Sequence, residues 1–398
     1  MKILFVIREL QIGGAQRQLC LLANSLASRG HEPVIAVFYG GGRLEADLHD
    51  RVRVELLGKA GRWDVFSFLY RLLNLIARER PDIVHGYMSG GNLCAVLSRI
   101  ASPRSKIVWG MRASQFDPNS GDLVSRIVDW IEARLSSIAD RIIVNSVAGM
   151  RYCTDQGFPR KSLVHIPNAI DSLNYYPDHE GRQRIRAEWG IADEETLVGL
   201  IGRLDPMKGH AVFLAAAAQL TATRGKLRFV CLGSGSRQYL ADMQNLAQRL
   251  GLSDRVLWLD ARTDMRAVYN AIDVVCSASV YGEGFPNVIG EGMACGRRYV
   301  VTDIGDSAFV VGETQVVVPH DDPSALASGI IRQAVLASSP YAAARQRIID
   351  CFSVAKLTDT TESVLHDLRQ GNPELLASAR RAARPPAKNV PESVKNRA

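Results

Sequence analysis

Two carboxylates bracket a glycine-rich stretch in the second half of the sequence. The stretch VYGEGFPNVIGEGMACG occupies residues 280–296, and its acids are Glu283 and Glu291. The glycines beside Glu283 allow the backbone to pass close to a ligand, and Pro286 suits the first turn of a helix. Such a helix would carry Glu291 about one turn in and aim its free N–H groups at that ligand. This arrangement could hold a polyhydroxylated ligand, and it also fits a surface turn before an ordinary helix.

Two basic residues, Arg203 and Lys208, lie close together on the loop GRLDPMKG at residues 202–209. Arginine offers a planar fork of donors and lysine a compact charge. The pair suits an anion such as a diphosphate, because each charge-assisted hydrogen bond contributes about 1.5–3 kcal/mol. The same loop also fits a solvated basic pair beside Asp205.

Gly13 and Gly14 follow the first predicted strand and precede the first predicted helix. Backbone N–H groups and the helix dipole can hold a phosphate at such a turn, although a tight strand-to-helix connection would need the same residues. A nicotinamide or flavin fingerprint needs G-x-G-x-x-G and a following acid. The adjacent glycines therefore disfavour a dinucleotide cofactor.

The elements that must position these residues alternate between strand and helix. Apolar runs predict strands at 3–7, 33–39, 83–85, 107–109 and 141–145, with helices at 15–28, 64–80, 92–100 and 123–138. After a turn-rich segment at 166–177, strands at 197–201, 228–232, 256–259, 274–276, 299–302 and 316–318 alternate with helices at 209–222, 236–250, 323–337 and 353–368. This α/β pattern predicts two doubly wound parallel sheets, with ligands at the carboxyl ends of the strands.

We therefore expect an N-terminal domain over 1–170 and a C-terminal domain over 171–352. A last helix over 353–370 is expected to pack back on the N-terminal domain, before a basic disordered tail over 371–398. That tail contributes much of the net charge of +7. The mildly basic remainder is compatible with an anionic ligand or acidic lipid, and no nucleic-acid partner is expected.

The composition is that of an ordinary soluble protein, with 47% hydrophobic and 22% charged residues. The seven cysteines lack CxxC pairing, which indicates reduced, buried thiols rather than disulfides or a metal site. A strand pattern begins at Lys2, so we expect no signal peptide and a cytoplasmic protein.

Taken in order, these motifs resemble those of the retaining glycosyltransferases of family 4, also called glycosyl transferases group 1. The likeness extends to about Leu368. It rests on Arg203 with Lys208, on the E-x7-E pair Glu283 and Glu291, and on five further segments: GGAQR at 13–17, VNS at 144–146, VHIPNAID at 164–171, GSGS at 233–236 and TDIG at 302–305. The resemblance implies the GT-B fold, in which two Rossmann-like domains face an interdomain cleft.

The resemblance also implies roles for the residues that match. Arg203, Lys208 and Glu283 would be catalytic, with both cations on the donor diphosphate and Glu283 on the donor sugar. The donor-binding residues would be Gly13, Gly14, Phe285, Pro286, Asn287, Val288 and Glu291, the last on the ribose. Transfer of a hexosyl group would need no metal or other cofactor, and the sequence has no Asp-x-Asp motif.

On the acceptor side, Arg112 stands where many family members have a histidine, in the segment VWGMRAS. It could contact donor or acceptor, or bond to Asp117. Arg17, His85 and Tyr87 are further acceptor-side candidates, and each also fits a structural role. For His85 that role is a core histidine whose ring nitrogens are hydrogen-bonded.

The expected activity is transfer from a nucleotide-diphosphate sugar to a saccharide or lipid-linked saccharide, with retained anomeric configuration. The setting would be bacterial surface polysaccharide or glycolipid synthesis, at the inner face of the membrane if the helix at 64–80 makes peripheral contact with it. The alternatives are a nucleotide-sugar 2-epimerase of the same fold and a non-catalytic nucleotide-sugar-binding subunit.

Overall fold

The computed structural model describes residues 1–61, 63–112, 123–221, 226–336 and 341–370. The expected tail at 371–398 and the segment that follows Arg112, including Asp117, lie outside the described residues. Among the helices that are described, none is both long and apolar enough to cross a bilayer.

The first half of the chain forms a sheet of seven parallel strands. These are β1 (Lys2–Ile7), β2 (Glu32–Val37), β3 (Arg53–Leu56), β4 (Ile83–Tyr87), β5 (Lys106–Met111), β6 (Arg141–Val144) and β7 (Leu163–His165). Their order across the sheet is β3-β2-β1-β4-β5-β6-β7. The central strands are continuous apolar runs because helices cover both of their faces.

Helices pack on both faces of this sheet. They are α1 (Gly14–Ser28), α2 (Phe66–Glu79), α3 (Met88–Ala95), α4 (Ser98–Ala101), α5 (Leu123–Leu135) and α6 (Val147–Asp155). Helix α1 packs with alternate residues of β1, such as Phe5. Helices α2 to α6 pack with the other set, such as Leu4, as right-handed crossovers require.

The second half repeats the design, and its described residues form six parallel strands and eight helices before the last helix. The strands are β8 (Thr196–Ile201), β9 (Leu227–Leu232), β10 (Val256–Leu259), β11 (Val274–Ser277), β12 (Arg298–Thr302) and β13 (Val316–Val318), in the order β10-β9-β8-β11-β12-β13. The helices are α7 (His179–Glu188), α8 (His210–Thr221), α9 (Arg237–Arg249), α10 (Met265–Ala271), α11 (Asn287–Ala294), α12 (Ser307–Val311), α13 (Pro323–Ala334) and α14 (Ala342–Phe352). The two doubly wound sheets predicted from the sequence are confirmed.

A last helix, α15 (Val354–Gln370), returns to the N-terminal sheet. Its Leu365 is fully buried in the same core as α1. His31 Nε2 lies 2.7 Å from Glu362 Oε1, and Thr358 donates a hydrogen bond of 2.9 Å to the Ser25 hydroxyl. The chain thus crosses between the two sheets twice.

The structure contains elements that the sequence patterns did not predict, namely strands β3 and β7 and helices α6, α7, α10, α12 and α14. Strand β3 reads RVEL and is only partly buried, so its apolar pattern is weak. Helix α7 reads HEGRQRIRAE, and its one strongly apolar residue, Ile185, cannot define a helical period.

A buried carboxylate joins the two halves at the start of α6. Asp306 accepts hydrogen bonds from the backbone N–H groups of Val147, at 2.8 Å, and Ala148, at 3.1 Å. These donors belong to the first turn of α6, where N–H groups lack partners within the helix. Burial raises the pKa of the Asp306 carboxyl, and the two N–H donors oppose that shift. A residue of the C-terminal sheet therefore caps a helix of the N-terminal sheet.

Asp306→Ala should leave two partly buried N–H groups without partners and lower the free energy of unfolding by about 2 kcal/mol. The matched control is Asp322→Ala, which removes a cap from α13 within one domain, where Asp322 accepts from Ala325 N at 2.9 Å. That loss should be about 1 kcal/mol. Urea denaturation measures both, and equal losses would show that the interdomain cap adds nothing.

Candidate active site

A lysine and a glutamate form a partly buried ion pair at the carboxyl end of the second sheet. Lys208 ends a 3-10 turn after β8, in which Asp205 accepts a hydrogen bond from Met207 N at 3.0 Å. The Lys208 ammonium forms a short ion pair with Glu283 Oε1. Ser279 donates to the same oxygen at 2.6 Å. Ion pair and hydroxyl together fix the Glu283 carboxylate.

Two glycines allow this approach. Gly209 has φ of 69°, and a Cβ there would lie 1.9 Å from the carbonyl oxygen of Ala278. Gly305 has φ of 59°, and a Cβ there would lie 2.2 Å from the carbonyl oxygen of Glu283. Any other residue would push the loops that carry Lys208 and Glu283 off their neighbours.

The N-termini of α1 and α11 face each other across the cleft. A Cβ built on Gly14, the first residue of α1, would lie 3.2 Å from Asn287 Nδ2, on the first residue of α11. Within the described residues, no side chain caps either helix. Both ends carry partial positive charge and N–H groups that the helix leaves free. The arrangement favours an anion between them.

The residues that flank Asn287 are held by the core. Phe285 is buried, with its ring centroid 5.3 Å from that of Phe352. Pro286 is the N-cap residue of α11. The carbonyl of Val288 accepts a hydrogen bond of 2.6 Å from the Tyr299 hydroxyl. The start of α11 is therefore rigidly placed before any ligand binds.

A chain of polar side chains connects Asn287 to the N-terminal sheet. Asn168 donates to Asn287 Oδ1 at 2.9 Å and accepts from Arg112 Nη1 at 3.0 Å. Arg112 Nη2 donates to the Tyr87 hydroxyl at 2.9 Å, and its guanidinium lies 4.7 Å from the centroid of the Tyr87 ring. Arg112 therefore bonds to protein groups next to the cleft and positions Asn287 through Asn168.

Glu291 lies on α11, one turn after Asn287. The Tyr269 hydroxyl donates to Glu291 Oε2 at 2.7 Å, and Arg17 Nη1 of α1 lies 4.0 Å from Oε1. Burial raises the pKa of the Glu291 carboxyl above its ordinary 4.5, while the Tyr269 bond and the Arg17 charge oppose that shift. Arg17, Asn287 and Glu291 line an interdomain cavity of about 1140 Å³.

Two of the predicted residues are not part of this arrangement. The Arg203 side chain is 64% exposed and pairs with Asp205 at 3.2 Å, so it matches the solvated alternative that the sequence left open. His85 is completely buried, and its ring lies 5.4 Å from that of Phe5 and 4.8 Å from that of Tyr87. Burial lowers the pKa of His85 well below its ordinary value. The candidate acceptor contact of His85 is therefore corrected to a core position.

Sequence reasoning missed several residues that build the site, namely Asn168, Tyr269, Ser279 and Asp306. Asn168 had a usable signal, because it is an amide in the turn-rich segment between the two alternating halves. Tyr269 had none, since it lies among apolar residues of a short helix.

Comparison with known sequences identifies the family of each half. A family model described as Glycosyltransferase Family 4 matches residues 12–172, and one described as Glycosyl transferases group 1 matches residues 195–334. A D-inositol 3-phosphate glycosyltransferase of Mycobacterium ulcerans is 30% identical over 271 residues, which is 64% of this chain and 56% of that protein. One of Nocardia farcinica is 33% identical over 270 residues, 63% of this chain and 59% of that protein. The chain thus spans little more than half the length of these relatives.

Solved structures share the fold. HepE of Anabaena, determined in complex with UDP, has a TM-score of 0.78 at 22% identity, over 92% of this chain and all of that one. A sucrose-phosphate synthase of Thermosynechococcus elongatus has a TM-score of 0.75 at 19% identity, over 93% and 99% of the two chains. These matches, over nearly the whole chain, identify the fold as GT-B.

Arg17→Met should raise the pKa of Glu291 further, because it removes the nearby positive charge and keeps an apolar stem. A folded pKa above the unfolded value means that the folded state binds more protons, so stability falls as pH rises from about 4.5 through the folded pKa. Urea denaturation across that range should show a larger fall in the variant. Arg43→Met, in the same cavity, is the control, and identical slopes in both variants would contradict the coupling.

Gly209→Ala should cost about 1–2 kcal/mol for the left-handed backbone and roughly 1–3 kcal/mol more for the overlap with Ala278. Gly251→Ala isolates the first cost, since Gly251 has φ of 70° with open space around its Cβ position. Thermal or urea unfolding compares the two variants. Equal destabilisation would mean that close approach at Gly209 is not required.

Proposed function

The chain belongs to glycosyltransferase family 4 of the group 1 glycosyl transferases, and from this premise we propose that it transfers a sugar from a nucleotide-diphosphate donor to an acceptor hydroxyl with retained anomeric configuration. The observation that carries the proposal is the meeting of two helix N-termini at Gly14 and Asn287, because such a pair offers a site for the donor's diphosphate.

Lys208 would stabilise the leaving group. Breaking the bond between the anomeric carbon and the diphosphate moves negative charge onto phosphate as the sugar becomes cation-like. The N–H groups of both helices and the Lys208 ammonium would stabilise that negative charge, and the core would not have to rearrange. Arg203 would provide a second positive charge after its ion pair with Asp205 breaks. Breaking that pair costs little free energy because both side chains are exposed to solvent.

Donor binding would also redirect Glu283 and Glu291. A diphosphate competes with Glu283 for Lys208, and a Glu283 carboxylate released from that ion pair can accept hydrogen bonds from sugar hydroxyls. Glu291 would accept from the ribose hydroxyls, with its second oxygen held by Tyr269. The pKa of Glu291 would fall when the ribose hydroxyls donate hydrogen bonds in place of the water that burial excludes.

The acceptor half would be built around Arg112, which the buried Tyr87 holds in place through its hydroxyl. Among the described residues beside the site, none is a convincing covalent nucleophile, so the acceptor oxygen would attack on the same face as the departing diphosphate, which takes the acceptor proton. The relatives are named for transfer to D-inositol 3-phosphate, and HepE was solved with UDP-glucose. A polyol or saccharide acceptor and a UDP-sugar donor are therefore the first pair to test.

Lys208→Met and Glu291→Ala should each weaken donor binding or turnover more than about tenfold. Each variant removes a charged side chain of the protein that would hydrogen-bond to the donor. Thermal shift with UDP-sugars and radiolabel transfer measure the two effects. Lys226→Met, which removes an exposed lysine outside the cleft, is the matched control. Normal transfer by both site variants would contradict the proposal.

Incubation with labelled nucleotide sugars in the absence of acceptor separates the alternatives. Transfer predicts at most slow hydrolysis, whereas a 2-epimerase would convert the donor sugar without any acceptor. Saturable donor binding with no turnover across an acceptor panel would instead indicate a non-catalytic subunit.

A further inference from the structure

A cluster of potential metal ligands lies where the last helix packs on the N-terminal sheet. Among the described residues, one group of histidine, cysteine and carboxylate side chains places three ligand atoms within 4.8 Å of one another. Its members are His31, Glu362 and His366, defined here as the crossover cluster. Glu362 and His366 are one turn apart on α15 and therefore share a face of that helix, whereas His31 belongs to the N-terminal half of the chain.

The turn that ends α1 presents His31 to α15. Gly30 has φ of 83°, and the N–H of His31 donates to the carbonyl of Leu26 at 3.1 Å, which closes the turn. The His31 side chain is only 7% exposed, and its ring centroid lies 6.1 Å from that of His366. His31 is therefore held in place before an ion arrives.

The distances within the crossover cluster suit a tetrahedral ion. His31 Nε2 lies 2.7 Å from Glu362 Oε1, and His366 Nε2 lies 3.9 Å from the same oxygen. The ligand atoms of a tetrahedral zinc ion are about 3.3 Å apart, because each bond to the metal is about 2.0–2.1 Å long. The side chains of Glu362 and His366 are 23% and 45% exposed. Both can make the small adjustment that zinc requires, and water can reach the fourth position.

The neighbours of the crossover cluster orient its ligands. Arg29 Nη1 donates to Glu362 Oε2 at 2.8 Å, which leaves Oε1 as the ligand atom. The hydrogen bond from His31 lowers the pKa of Glu362, Arg29 lowers it further, and burial opposes both. The carboxylate is thus kept in the ionised form that a metal needs. His31 Nδ1 lies 3.1 Å from the Met1 amine. A metal on Nε2 leaves the ring proton on Nδ1, so the amine must turn away or release a proton on binding.

The crossover cluster is far from the donor cleft. Glu32, the neighbour of His31, is the first residue of β2, so His31 lies at the amino edge of the sheet. Ligands of such sheets bind at the opposite, carboxyl edge. Gly14 and His31 lie near the two ends of α1, whose 15 residues extend about 22 Å. An ion in the cluster would not reach the donor diphosphate, and the expectation that transfer needs no metal is unaffected.

We propose that the crossover cluster binds one Zn²⁺ ion through His31 Nε2, Glu362 Oε1 and His366 Nε2. Imidazole nitrogens favour zinc over Mg²⁺ and Ca²⁺, which prefer oxygen ligands. The ion joins the end of α1 to α15, the helix by which the chain returns from the C-terminal sheet. Because the ligands separate when α15 leaves the N-terminal sheet, zinc stabilises the docked position of α15.

Zinc titration of the full chain, purified without a polyhistidine tag and treated with a chelator, tests this proposal. Isothermal titration calorimetry should show one zinc ion per chain, and saturating zinc should raise the midpoint of thermal unfolding. His366→Gln should weaken zinc binding at least about tenfold and abolish the rise in midpoint. Without zinc this variant should unfold at the wild-type midpoint, because the half-exposed His366 makes only a distant contact with Glu362.

His320→Gln is the matched control, because it removes an exposed histidine beside Asp321 and Asp322 in the other half of the chain. It should bind zinc as the wild type does. Mg²⁺ at the same concentration should neither bind nor raise the midpoint. The thermal shift with UDP, measured in the presence of chelator, should be the same in all three chains. Failure of the zinc site is therefore distinguishable from failure of the proposed donor site.

The proposal is overturned if the chelator-treated wild type binds no zinc. It is also overturned if His366→Gln binds zinc as tightly as the wild type, which would assign the ion to another group such as the exposed thiol of Cys351. Equal binding of Mg²⁺ would contradict it, since surface carboxylates would then be the ligands. X-ray absorption at the zinc edge adds a spectroscopic check, in which two imidazole ligands support the proposal and a thiolate ligand contradicts it.

Discussion

The approach of two helix N-termini constrains the rest of this structure. At Gly14 and Asn287 two partial positive charges face each other at close range, and both helices begin without a side-chain cap in the described chain. Asn168 holds the Asn287 side chain in place by donating to its Oδ1, and Asn168 in turn accepts from Arg112. An anion would offset the repulsion between the helix ends, since it accepts from both helices at once. The cleft is thus organised for negative charge before a ligand arrives.

The two halves hold this arrangement through a few polar contacts and through the apolar packing of α15 on the N-terminal core. Asp306 caps a helix of the opposite domain, Arg17 lies beside Glu291, and α15 returns to pack against α1. Each contact joins elements at the carboxyl edge of a sheet or at the crossover between sheets. A small number of directional contacts can fix the alignment of the halves and still permit relative motion, which larger apolar interfaces resist.

The sequence was sufficient for the two sheets, apart from strands β3 and β7, and for the close backbone approaches around Lys208 and Glu283. Strands such as β1 are continuous apolar runs, and the glycines beside Glu283 and Lys208 mark close backbone approaches that side chains would block. It was not sufficient for α7, whose buried residues are Gly181, Ile185 and Arg186, of which only Ile185 is strongly apolar. The environment of a side chain was also inaccessible: His85 lies at the carboxyl end of the predicted strand at 83–85, as a site residue would, but it is buried against Phe5. Arg112 could be placed at the cleft, but its link to Asn287 depends on Asn168, which belongs to a different segment.

The most direct test of this account is a crystal structure of the chain with a bound nucleoside diphosphate. The account predicts that the diphosphate lies between the N-termini of α1 and α11, within hydrogen-bond distance of Lys208 Nζ, with the Lys208–Glu283 ion pair opened and Glu291 on the ribose. A diphosphate bound elsewhere, or one that leaves the Lys208–Glu283 pair intact and both helix ends without an anion, would contradict it.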